Sequence, residues 1–230
     1  MLPPERAREQ YAAVFRILNE TYGRPVWRPN APAMNELVGT ILSQATTDAN
    51  ANRAFAELTA RFPDWESVMN APPEAVVAAI RSAGLSNTKG PRIQNALRTV
   101  RRERGELSLD FLADMPLDEA MAWLTRIEGI GPKTASIILL FSFGRPVFPV
   151  DTHVYRVGGR LGLIPPRTSA EQAHAVMAAL GPPDTYYPMH INLIRHGREI
   201  CHARNPQCHI CPLQEWCDYY RTVVARAMDG

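Results

Sequence analysis

Apolar residues recur at helical spacing along almost the whole chain, and this limits the fold more than any other feature. Tyr11, Val14, Phe15 and Leu18 follow the i, i+3, i+4, i+7 rule of one apolar helix face. Leu37, Val38, Ile41, Leu42 and Ala45 repeat it. Pro72 and Pro73 precede a helix carrying Val76, Val77 and Ile80, and Gly84 reads as its stop. Ile93, Leu97 and Val100 mark another that ends near Gly105, and Met121 and Leu124 lie on the next. Ser169 with Gln172 reads as a capping box ahead of Val176, Met177 and Leu180, with Gly181-Pro182 as terminator. Alternating strand-like runs are scarce. Val147-Phe148-Pro149-Val150 is apolar, but its proline argues against a central strand. An all-α fold of about ten short helices follows.

The 230 residues make one large domain or two small ones. With 46% hydrophobic and 21% charged residues, the chain can bury a core without disulfide staples, which excludes disorder as its main state. The formal net charge is only +2, so any nucleic-acid contact must come from local basic patches. Just two of the 25 Lys and Arg residues are lysines, Lys89 and Lys133, so side-chain amine chemistry has two candidates. Ala135 to Phe143, the most apolar stretch, is about half the length of a membrane span. The opening MLPPERAREQ has no apolar h-region. The expectation is a soluble, cytoplasmic protein without membrane contact.

All four cysteines fall in one closing run, Cys201, Cys208, Cys211 and Cys217, spaced C-x6-C-x2-C-x5-C. Three readings compete. Two disulfides need an oxidising compartment. Zinc with four thiolates fits the donor set, but zinc sites usually pair ligands as two C-x2-4-C knuckles, and only one such pair is present. A [4Fe–4S] cube takes four thiolates from a compact segment, and uneven spacing suits it. Spacing alone leaves zinc and the cluster open. With four sulfurs to complete either site, His202 and His209 read as spectators.

Ile127-Glu128-Gly129-Ile130-Gly131-Pro132-Lys133-Thr134 lies between two helical patterns. Gly129 and Gly131 permit a tight turn, and Pro132 suits the first turn of a new helix. The result is a helix–hairpin–helix whose backbone N–H groups, at a helix N-terminus, favour a phosphate. A plain αα-corner would use the same residues. Lys133, beside those N–H groups and an apolar segment, has its charged form disfavoured, which frees neutral amine for attack and Schiff-base formation. Lys89, in Ser86-Asn87-Thr88-Lys89-Gly90-Pro91, reads as a surface or backbone-contacting residue of a polar loop. Asp151 reads as the cap of the helix that begins there, and an ionised carboxylate beside Lys133 could stabilise a developing cation.

Taken together, Gly129-Ile130-Gly131-Pro132-Lys133-Thr134-Ala135, then Val150-Asp151-Thr152-His153, then the cysteine run, resemble the endonuclease III family of helix–hairpin–helix DNA glycosylases. Leu42-Ser43-Gln44-Ala45-Thr46-Thr47-Asp48, Gly84-Leu85-Ser86-Asn87-Thr88-Lys89 and His196-Gly197-Arg198 extend the likeness over nearly the whole chain. The resemblance implies a two-lobed fold. Residues 26–145 would form a six-helix barrel domain, and residues 1–25 with 146–230 a discontinuous iron–sulfur domain, with a DNA cleft between the lobes. It implies a [4Fe–4S] cluster on Cys201, Cys208, Cys211 and Cys217. Lys133 becomes the Schiff-base nucleophile and Asp151 its partner carboxylate. Gly129 and Gly131 would grip DNA phosphate, and Arg204, between Cys201 and Cys208, would form a basic contact. Residues 145 to 204 carry seven arginines against four acids, in keeping with a phosphate-facing lobe.

The implied activity is bifunctional: removal of damaged, oxidised pyrimidines from double-stranded DNA and strand cleavage at the abasic site by β-elimination, by a monomer. One departure stands out. The family commonly places a Gln two residues after the Ser of the early segment, where it fills the gap left by a flipped base. Here that position is Ala45, and Gln44 comes one residue early. Gln44 is the candidate for that role with a shifted backbone, and Leu85 the candidate for an apolar wedge. Two alternatives are a non-catalytic DNA-damage-binding or redox-sensing protein, which needs neither Lys133 nor Asp151, and a monofunctional mismatch glycosylase, which lacks Lys at that position.

Overall fold

The structure is a computed structural model that describes residues 4–28 and 32–225. Among these residues lie eleven α-helices and no strand. They are α1 (Pro4–Tyr22), α2 (Ala33–Ser43), α3 (Asp48–Arg61), α4 (Trp65–Asn70), α5 (Pro73–Ala79), α6 (Ser86–Arg104), α7 (Leu117–Thr125), α8 (Pro132–Phe143), α9 (Thr152–Leu161), α10 (Ala170–Ala178) and α11 (Tyr186–Glu199). The chain divides into two compact units, one made of Met1–Arg28 with Pro146–Gly230 and the other of Pro29–Arg145.

The Pro29–Arg145 unit holds α2 to α8. Its centre is α8, where Ala135 to Leu140 are all buried. The helix is apolar on every side, as a central helix must be. α2, which buries Leu37, Val38, Ile41 and Leu42, and α7 pack on it, and α3 and α6 pack in turn on α2. Caps define the boundaries: Thr47 accepts from Asn50 N–H at the start of α3, and Asp64 from Ser67 N–H at the start of α4. Arg145, just past α8, donates to the carbonyls of Leu112, Ala113 and Met115 and so fixes the loop before α7.

The other unit joins both ends of the chain. α1 buries Tyr11, Val14 and Leu18 and packs on α11, and Tyr11 shares a 2.8 Å hydrogen bond with Thr185. α9 and α11 pack closely because Gly197 has no side chain; a Cβ there would lie 3.0 Å from His153 Nδ1. α10 begins with the expected capping box of Ser169 and Gln172. Val147 to Val150 form no strand. Instead the carbonyls of Phe148 and Pro149 accept from Nδ1–H of His174 and His190, at 3.0 and 2.9 Å.

Two local expectations need correction. α2 stops at Ser43, so Ala45 is not on its apolar face; it is exposed, with a left-handed φ of 50°. Ser86 to Pro91 is not a polar loop but the opening of α6, with Pro91 inside the helix. Packing overrides the local signals there: Gly90 lies against Val77 of α5, where a Cβ would approach to 2.9 Å. Lys89 is accordingly buried at 1% exposure rather than on the surface, and it contacts backbone.

Candidate functional site

The hairpin is built as its glycines require. Gly129 adopts φ +84°, a region open to glycine but strained for other residues. A Cβ at Gly129 would also meet the Arg92 side chain at 2.9 Å. Ile130 is buried and pins the turn. Gly131 is the N-cap of α8 and Pro132 its first residue; no side chain caps this end. The first-turn N–H groups of α8 therefore have no intrahelical or side-chain acceptor, the arrangement in which a helix start receives an anion.

Lys133 follows on the first turn of α8, half-buried. Its electrostatic neighbour is Glu36, on the first turn of α2. Burial pushes the Glu36 carboxyl above the usual carboxylate range, and a 3.2 Å hydrogen bond from Thr40 and the charge of Lys133 act against that rise. Nothing in the sequence pattern singled out Glu36. It becomes visible only when α2 is laid along α8.

Two turns of the same unit carry the other residues expected to touch DNA. Gln44 caps the C-terminus of α2, and its side-chain amide donates 3.0 Å to the Gly129 carbonyl. That bond ties the early segment to the hairpin. Leu85 is the N-cap of α6, 62% exposed and in the left-handed region at φ 49°. A large apolar side chain held out in a strained backbone is an outlier that asks for a functional account.

In the other unit, Asp151 is the N-cap of α9. Its Oδ1 accepts from Val154 N–H at 2.7 Å, so capping uses one carboxylate oxygen. His153 is held by Arg156, which donates 3.1 Å to Nδ1, and burial lowers its pKa from the usual imidazole value. Arg204 stands exposed in the loop between Cys201 and Cys208.

Cys201, Cys208, Cys211 and Cys217 line one cavity, closed on its other sides by Val157, Leu161, Ile200 and Leu213. Four sulfurs around one enclosed, largely apolar space fit the donor set of an iron–sulfur cube. Burial, reinforced by the neighbouring sulfurs, raises the Cys211 thiol to about 11 and moves Cys208 and Cys217 up as well. Four thiolates there need metal charge to compensate them.

Residues that spacing did not reveal support this cavity. Arg160 donates to Cys201 Sγ at 3.2 Å and to the carbonyls of His202 and Ala203. Arg156, one turn earlier on α9, donates to the Cys201 carbonyl at 3.1 Å. His196 is buried between Tyr22 Oη, 3.1 Å from Nδ1, and Cys211 Sγ, 3.5 Å from Nε2. Its pKa falls to about 4 through desolvation, so the ring is neutral. Where Tyr22 donates to Nδ1, the Nε2–H is left to face the sulfur, a contact that would tune a metal-bound thiolate.

The chain is similar to known proteins over the segments that carry these features. Residues 38–183 match the family model of HhH-GPD superfamily base excision DNA repair proteins, and residues 201–217 that of the iron–sulfur binding domain of endonuclease III. Endonuclease III of Rickettsia conorii is 36% identical over 186 residues, covering 80% of this chain and 83% of that one. Endonuclease III of Thermotoga maritima is 33% identical over 185 residues, covering 80% and 82%. A DNA glycosylase-like protein of Arabidopsis thaliana is 36% identical over 184 residues; the alignment spans only 60% of its length. Among solved structures, a non-covalent endonuclease III–DNA complex superposes with a TM-score of 0.80 at 26% identity, covering 100% of both chains. A trapped endonuclease III–DNA covalent intermediate gives 0.79 at 26% identity, covering 96% and 98%. Fold and site thus define a DNA glycosylase with abasic-site lyase activity, which acts on damaged DNA in base excision repair and uses a [4Fe–4S] cluster. The chain belongs to the endonuclease III family.

Proposed function

We propose that this enzyme removes oxidised pyrimidines through Lys133 and then cuts the strand. The observation that carries the reading is the position of Lys133: it is one of only two lysines, and it lies on the first turn of α8, directly after the open hairpin. In this reading the hairpin N–H groups at Gly129 and Gly131 hold a phosphate of a bent duplex. The damaged nucleotide leaves the stack, at a cost of a few kcal/mol that a lesion lowers. Leu85 wedges into the stack, and Gln44 occupies the space beside the orphan base.

The Lys133 Nζ, as free amine, attacks C1′ of the sugar. The bond from C1′ to the base breaks, the base leaves with the electron pair, and opening of the sugar ring gives an imine. The imine acidifies the C2′ proton; its loss expels the 3′ phosphate by β-elimination. Asp151, with Oδ2 outside the capping bond, stabilises the sugar cation and assists proton transfer from the amine. Cys201, Cys208, Cys211 and Cys217 would hold the cluster through their thiolates, and the loop that carries Arg204 would lie against the phosphate backbone. Bound there, the cluster would supply structure. Residues 26–145 form the hairpin domain and the two flanking segments the cluster domain, acting as a monomer on cytoplasmic or nucleoid DNA.

Borohydride reduction on an abasic oligonucleotide tests this directly. Wild type should become covalently linked to DNA in good yield. A Lys133→Gln protein that links equally well would remove the assignment.

A further inference from the structure

The turns bearing Gln44 and Leu85 converge on one buried cation. Lys89 is 1% exposed, and its Nζ donates to the Leu42 carbonyl and to the Ala83 carbonyl, both at 2.8 Å. Leu42 lies in the last turn of α2, immediately before Ser43-Gln44-Ala45. Ala83 ends the short 3-10 turn Arg81–Ala83, immediately before Gly84-Leu85. Each carbonyl is among those that a helix end leaves without an intrahelical partner. A positive group there also meets the negative end of the α2 dipole.

Both turns carry a non-glycine residue in the left-handed region, Ala45 at φ 50° and Leu85 at φ 49°. Two such conformations persist only where their surroundings over-determine them. Lys89 has no carboxylate partner among its hydrogen bonds, and desolvation lowers its pKa. A fully buried lysine is costly unless its donors are satisfied, and here two of its three N–H donors are satisfied on the two strained turns.

We propose that Lys89 is a positioning residue that sets the Gln44 turn and the Leu85 turn as one unit, so that wedge and gap-filler enter DNA in register. Gln44 extends the linkage to the hairpin through its bond to the Gly129 carbonyl. The proposal rests on the DNA-probing roles given above to Gln44 and Leu85. Nothing in it requires Lys89 to touch DNA.

The test compares Lys89→Met, Leu85→Ala, Gln44→Ala and the two doubles that pair Lys89→Met with each. Single-turnover base excision is measured at saturating enzyme, well below the melting temperature. Base unstacking is followed by 2-aminopurine placed next to the lesion. Lys89→Met should lower the unstacking amplitude and slow excision about tenfold or more, the scale on which small misplacements act. Each double should be no slower than Lys89→Met alone, because the positioned side chains are already out of place. Lys89→Arg, which keeps charge and donors, should recover part of the rate, and it replaces Lys89→Met in the doubles if the latter does not fold. Multiplicative effects in the doubles, or wild-type unstacking in a Lys89→Met protein that is merely less stable, would overturn the proposal. If Leu85→Ala and Gln44→Ala are both fully active, the DNA-probing reading falls first and this inference with it.

Discussion

The hairpin with α8 and the cysteine segment both present functional groups, but they are held in different ways. From Ile130 to Leu140 the chain buries Ile130 and every residue from Thr134 onward. Between Cys201 and Ala225 only Leu213 is buried. The first region is fixed by apolar packing that needs nothing but the chain. The second is a series of short turns braced by Arg156, Arg160, Gln207 and Gln10, and a cluster bound to its four cysteines would add to that bracing. In the proposed reading the amine of Lys133 is thus placed by the core, whereas the Arg204 loop would be placed by the cofactor.

The sharpest way to break this comparison is at Lys133. Lys133→Gln should reduce borohydride trapping to background while leaving the melting temperature near wild type, since the side chain is half-buried and outside the core. Next in size is loss of the cluster. In a Cys211→Ser protein, amide exchange should show residues 201–217 losing protection while Ala135 to Leu140 keep theirs. Equal loss in both places would show that the core is not independent of the metal.

Asp151→Asn tests the boundary between structure and chemistry. Asparagine still caps, so stability should fall by about 1 kcal/mol or less, whereas excision should fall far more. Urea titration and single-turnover rates on the same preparation separate the two. A paired truncation then weighs the cores themselves. Ile138→Ala, at a fully buried position of α8, should cost about 2–5 kcal/mol. Ile210→Ala, 56% exposed between two cysteines, should stay within about 0.5 kcal/mol.

The smallest effect concerns Glu36. Its carboxyl titrates above the unfolded value in the folded protein, so its contribution is greatest in acid, below the ordinary 4.5, and is lost as pH rises through the higher folded value. Glu36→Gln removes that dependence. The urea midpoint of the variant should gain on wild type between pH 4 and pH 8, and a gain in the opposite direction would mean that Lys133 dominates the site.

Much of this was readable from residue order alone. The helical class, the capping box at Ser169, the stop at Gly105 and the cap at Asp151 follow from local chemistry, and locality is what a sequence displays. Hairpin and cysteine run were equally plain, because each is a continuous motif. Relations between distant segments were not. The polar run Ser86 to Pro91 places Lys89 in a loop, yet packing against α5 carries the helix through it. Tyr22 and His196 are 174 residues apart, and no periodicity announces that they meet beside Cys211. The sequence marks Gln44 as a candidate DNA contact; that its amide holds the hairpin depends on a turn geometry that only the folded backbone defines.

The docking of α1 sets a timetable for synthesis. Its partners lie far along the chain: Gln10 donates to the Trp216 carbonyl across 206 positions. At about 5–20 residues per second, the ribosome needs about 10–40 s to make that stretch. During this interval the Pro29–Arg145 unit can emerge complete and fold by itself, while the Tyr11, Val14 and Leu18 face of the first helix waits uncovered. The nascent protein therefore carries an exposed apolar helix until α11, which packs on it, has been made.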